Sequence, residues 1–166
     1  MKAASLNEIK KELDNLEIPE LQQLCQRLAR YKKENKELLT YLLFEAHDEQ
    51  SYVENIKRDV DELFLTVPKG NVYFVKKTIR KILRHINKFI RYSGVSLTEL
   101  EVRMHFCDKM RTAGIPLQRS TVLYNLYHQQ LKKIVQVWSK LPEDLQFDYK
   151  REVGLLHKHA DIAFTE

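Results

Sequence analysis

Between residues 76 and 91 the chain carries Lys76, Lys77, Arg80, Lys81, Arg84, Lys88 and Arg91, and residues 69–92 contain no aspartate or glutamate. A row of ammonium and guanidinium groups is suited to one task above others. It holds phosphate or carboxylate oxygens and displaces the counterions condensed around a polyanion, with no base-edge reading required. At 100° per residue these cations occupy about 100° to 240° of arc, opposite an apolar stripe centred near 20°, and form a track roughly 21 Å long. Like charges three and four apart, such as Lys76 with Arg80 and Arg84 with Lys88, each cost about 0.2 to 0.5 kcal/mol in an isolated helix. Two sources can offset that repulsion. One is internal: the acidic neighbourhood of Glu45, Asp48, Glu49, Glu54, Asp59, Asp61 and Glu62, laid antiparallel to the basic helix across the Pro68–Gly70 turn. The other is an external partner, either nucleic acid or an acidic protein. Membrane binding is expected least, because the helix would have to turn its core stripe outward.

Other reactive side chains do not converge. Glu101 and His105 lie four apart and suit a carboxylate–histidine pair, with Cys107 as a nominal nucleophile. Residues 105 and 107, however, diverge by about 200° around a helix, and Cys107 falls on a core stripe where a thiol behaves as a small hydrophobe. His157 and His159 diverge in the same way. None of His47, His85, His105, His128, His157 and His159 follows a glutamate by three residues, and no His-Glu-x-x-His is present. The four glycines are isolated, so no loop of successive amides can wrap a phosphate. The expectation is therefore no catalytic residues, no metal and no cofactor. Tyr124, Tyr127 and Trp138 have helical spacing and read as core rather than as a base-stacking platform.

The elements that position these residues are all helical, because apolar residues recur at helical spacing and do not alternate with period two. A first helix is capped by Ser5 with Glu8, and Pro19 starts a second carrying Leu21, Leu24, Cys25, Leu28 and Tyr31. A third, over about 34–46, has a wide leucine-rich arc and is expected to be central. A fourth runs from about Asp48 to the Pro68-Lys69-Gly70 turn. The fifth, residues 71–92, is capped by Asn71 and carries Val75, Ile79, Ile82, Leu83, Ile86, Phe89 and Ile90 on its stripe. The sixth is expected to begin at a Ser96–Glu99 capping box and to bury Leu97, Leu100, Met104, Cys107 and Met110. The seventh starts at Ser120. Pro142 opens the eighth, whose stripe runs through Leu145, Tyr149, Val153, Leu156 and Ala160. Gly94 and Gly114 read as glycine C-caps.

The architecture expected is all-α: about eight antiparallel helices over residues 1–166, as one domain, in an irregular bundle or a short αα-hairpin stack. Residues 1–32 would form an N-terminal helical hairpin packed on 33–162. With 166 residues, 4 Gly, 4 Pro and 31% charged residues, the chain is long enough for a core of its own. Its net charge of +5 arises from the one basic segment. Two widely separated thiols, Cys25 and Cys107, and an opening without a long apolar run suggest a cytoplasmic protein.

The opening, Ile9-Lys10-Lys11-Glu12-Leu13 through Glu20-Leu21-Gln22-Gln23-Leu24 and Asn35-Lys36-Glu37-Leu38-Leu39, resembles bacterial all-helical families of unknown function. The likeness covers the amino-terminal half by pattern and implies no activity. The same stretch is also similar to the helix-loop-helix of SAP-type DNA-binding motifs, but the glycine of such motifs is missing between Leu16 and Glu20. The function expected is non-catalytic binding or scaffolding, with sequence-independent nucleic-acid binding through the basic helix 71–92 as the alternative and an enzyme third.

Overall fold

The computed structural model describes residues 2–162, with side chains as far as Lys158. Among the described residues there are eight α-helices and no strands: α1 (Leu6–Leu13), α2 (Ile18–Tyr31), α3 (Lys33–Thr40), α4 (Glu49–Leu65), α5 (Val72–Ser93), α6 (Ser96–Thr112), α7 (Thr121–Trp138) and α8 (Glu143–Ile162). The fold is all-α. A π-helical turn, Tyr41–Glu45, follows α3, and a 3₁₀ turn, Leu117–Arg119, precedes α7. The side chains of His159 and Ala160, expected on a histidine pair and on the α8 stripe, lie outside the described residues.

The chain divides into two compact units, residues 1–44 and 45–166. In the first, Ser5 and Glu8 form the expected capping box, with the Ser5 amide donating to Glu8 Oε2 at 2.7 Å. The helices that pack here are α2 and α3 rather than α1 and α2. The α2–α3 turn is fixed by Asn35, whose side-chain amide donates to the Leu28 carbonyl at 2.9 Å. Helical backbone runs through α3 and the π-turn from 33 to 45, close to the expected third helix, but of this stretch Tyr41 is buried and the leucine arc is not enclosed. No residue of α3 is buried, and Leu42, Leu43 and Phe44 beyond it are exposed. A dense leucine pattern records an apolar arc but not whether anything covers it.

The second unit is organised around α6, which packs against α4, α5, α7 and α8. That role follows from its composition. Val102 and Phe106, fully buried, lie off the predicted stripe of Leu100, Met104, Cys107 and Met110, so α6 is apolar on most of its circumference, as an enclosed helix must be. Leu97 is only half-buried. Ser96 is not the cap expected, because helix α6 starts on it and Val95 occupies the capping position.

Around α6, the α5 stripe buries Val75, Ile79, Ile82, Ile86 and Ile90, and α4 contributes Val53, Ile56, Val60 and Phe64. Full burial of one such side chain stabilises the fold by about 1.5–3 kcal/mol. Helix α5 starts where Asn71 Oδ1 accepts from the Tyr73 amide at 2.9 Å. It stops at Gly94, whose φ of 69° is a left-handed conformation that a side chain would strain. Gly114, with φ 63°, ends α6 similarly, and the Ile115 amide reaches back to the Met110 carbonyl at 3.1 Å.

Candidate polyanion-binding face

Because α5 is held through its isoleucine stripe by α4 and α6, its opposite face turns to solvent. Lys77, Arg80, Lys81, Arg84 and Arg91 are exposed, while Lys76 and Lys88 are half-buried. Among the described residues, Lys76, Lys77, Arg80, Lys81 and Arg84 form no ion pair. Lys88 lies 4.7 Å from the centre of the Phe89 ring, a cation–π contact, and Arg91 Nε donates to the Asn87 carbonyl one turn back at 3.3 Å. All seven residues picked out from the sequence thus share one helix face, five of them fully open.

Among the described residues, the acids of α4 form no ion pair with Lys76, Lys77, Arg80, Lys81 or Arg84. Asp59 reaches α5 at His85, 3.3 Å away. Asp61 instead receives His105 at 2.6 Å and Lys109 at 3.0 Å, both from α6. Burial favours the protonated Asp61, but hydrogen bonds from Lys109 and His105 outweigh it and hold the carboxyl below its usual range. Glu54 is taken by Lys57 at 3.1 Å. Glu49 accepts from the Thr98 hydroxyl at 2.5 Å and also from Ser93. Asp48 caps α4 by accepting from the Ser51 amide. Asp61 and Glu49 are engaged by α6, Glu54 by Lys57 and Asp48 by a helix end, which leaves Lys77, Arg80, Lys81 and Arg84 without a carboxylate partner among the described residues.

The pair suggested by Glu101 and His105 does not form. Glu101 accepts from Lys57 at 2.7 Å and from the Tyr149 hydroxyl at 2.8 Å, while His105 turns to Asp61. Helical spacing brings two residues to one face but does not choose between them and better-placed neighbours on α4 and α8. Burial and the bond to Glu101 raise Tyr149 well above the ordinary phenol range. For Lys57, burial works against the charge, and hydrogen bonds to Glu101 and Glu54 more than restore it. These groups line a groove of about 470 Å³ together with Met104, Asp108 and Leu156. Lys57, Glu101 and Tyr149 satisfy one another there. Cys107 is fully buried and its thiol is pushed far up by desolvation, as a core cysteine is. Tyr127 is also core, with its phenol raised to about 12 by burial. The Trp138 indole donates to the Gln146 carbonyl at 2.9 Å, and Tyr124 lies against His128 at 4.2 Å. Among the described residues no three His, Cys, Asp or Glu side chains gather as a metal requires, and no helix is long and apolar enough to cross a membrane.

Sequence reasoning missed Arg103. This residue is 4% exposed, with Nε and Nη2 both 2.7 Å from Glu99 Oε1 and Nη1 donating to Asn87 Oδ1 at 3.1 Å and Gln130 Oε1 at 2.6 Å. It ties α5, α6 and α7 together from the centre. The available signal was its position, one residue from Met104 and three from Phe106, on a helix apolar nearly all round.

Comparison with known proteins gives one partial likeness. The large subunit of exodeoxyribonuclease 7 from Mycoplasma mycoides subsp. mycoides SC is 30% identical over 114 residues, which is 68% of this chain and 20% of that protein. The chain therefore spans about a fifth of the length of the curated relative it matches. No family model and no solved structure matches.

Proposed function

We propose that this chain is a non-catalytic protein that binds nucleic acid along the outer face of α5, gripping the phosphate backbone without reading base sequence. The observation that carries this reading is the solvent-open row of Lys77, Arg80, Lys81 and Arg84, unpaired among the described residues. A surface charge whose carboxylate neighbours are engaged elsewhere retains a field for a ligand. The likeness to a deoxyribonuclease subunit supports nucleic acid over an acidic protein as the ligand.

Fluorescent random-sequence DNA and RNA, titrated at several salt concentrations, test the proposal. Five or more phosphate contacts predict that log K falls with log salt at a slope of roughly −4 to −6. The variant Lys77→Glu, Arg80→Glu, Arg84→Glu loses binding while its circular dichroism is unchanged. Absence of binding by the unaltered protein at low salt overturns the reading. A second role, as a protein scaffold, is favoured by a separate observation: the first unit leaves Leu6, Ile18, Tyr31 and Phe44 more than half exposed.

A further inference from the structure

The uncovered apolar residues of the first unit are ordered. In α2 the apolar residues run Leu21, Leu24, Leu28 and Tyr31, steps of three, four and three, with Ile18 one turn earlier, and of these only Leu21 is half-buried. This is the narrow seam of a helix that meets another helix by knobs-into-holes packing, not the broader stripe of one laid on a globular core. The seam is open: Ile18 is 73% exposed, Leu28 51% and Tyr31 76%, and α2 has no buried residue.

The charges beside the seam specify what fits it. Glu17 and Glu20 flank its start, and Arg27 and Lys32 flank its end. An acidic partner would suit one end only, and so would a basic one. A second α2 running antiparallel suits both ends at once. With a two-fold axis near Cys25, Leu21 meets the partner's Leu28, Ile18 meets the partner's Tyr31, and Glu17 and Glu20 come beside the partner's Lys32 and Arg27. A parallel pair would set like charges against each other. We propose that the first unit is a homodimerisation element in which a second copy of this chain covers the α2 seam, antiparallel, in a self-complementary contact.

Sedimentation equilibrium of the full chain over roughly 1–100 µM is the test, and a mass twice that of the chain is expected in that range. Leu24→Glu with Leu28→Glu weakens association by at least about 100-fold, as loss of a buried interface centre does. Should that variant misfold, the unaltered protein decides. Cys25 is exposed and Cys107 is buried, so a short bismaleimide links two chains through Cys25 and fails with Cys25→Ser. Direction is read by charge exchange: Glu20→Arg weakens the dimer by about 3- to 10-fold, and adding Arg27→Glu to the same chain restores it. A monomer throughout the range, or no Cys25-dependent link, overturns the proposal. A dimer in which the double exchange fails to restore affinity overturns the antiparallel pairing.

Discussion

Two helices of the second unit use the same residue types for opposite ends. On α6, Arg103 is buried against Glu99, Asn87 and Gln130, Glu101 is held by Lys57 and Tyr149, and Lys109 is given to Asp61. On the outer face of α5, Arg80 and Arg84 have no such company. A guanidinium with every donor engaged organises a core, and one left open supplies a field. The difference does not lie in the arginine. It is set by where the carboxylates lie: Glu99 holds Arg103, Asp61 holds Lys109, and among the described residues none reaches Arg80 or Arg84.

The contrast is broken most severely at Arg103. Replacing it with Met leaves Gln130, itself 2% exposed, and Asn87 without their donor. The expected loss is about 3 kcal/mol, seen as an earlier urea midpoint. Tyr149→Phe removes a single hydrogen bond to Glu101 and is expected to cost about 1 kcal/mol by the same measurement. The Asp61 cluster produces a smaller, pH-dependent effect. Its carboxyl is held below the usual range when folded, so its contribution is complete above the unfolded value of roughly pH 4 and drains away as pH falls through the folded value. Asp61→Asn should flatten the stability profile on that acid side. The smallest effect is expected on the other face, and with the opposite sign. Arg80→Gln relieves repulsion from Lys76 and Arg84 and should stabilise the protein by about 0.5 kcal/mol, while lowering the salt slope of nucleic-acid binding by about one. Destabilisation by Arg80→Gln would mean that α5 has partners like those of α6.

Legibility from sequence followed the same division. Helix α5 was readable because its two faces differ so strongly: isoleucines every third or fourth residue on one side and cations on the other, with Asn71 and Gly94 marking its ends. Its core stripe, capping and basic face are as the spacing indicates, although Leu83 and Phe89 are only half-buried. Helix α6 was harder because burial on most sides erases the periodicity that locates a face. Arg103 was hidden by its type, since an arginine in a sequence signals surface until Glu99, Asn87 and Gln130 are seen around it. The third helix lies where its pattern indicates but is less enclosed, for the converse reason: Leu38, Leu39, Leu42 and Leu43 form a convincing arc, but pattern does not say whether a partner is folded against it. Glu101 and His105, which share a helix face, do not pair, because side chains on α4 and α8, distant in sequence, offer closer contacts.

The link from Arg103 to Asn87 also bears on the heat of any binding event. Asn87 belongs to α5, so the clamp that closes the core anchors the helix carrying the basic row. Its backbone is ordered before a polyanion arrives, unlike a basic tail that folds on its target. Association then buries little apolar surface and orders little main chain. Calorimetry at several temperatures should accordingly find a binding enthalpy that is nearly independent of temperature, a heat-capacity change close to zero where coupled folding would make it strongly negative.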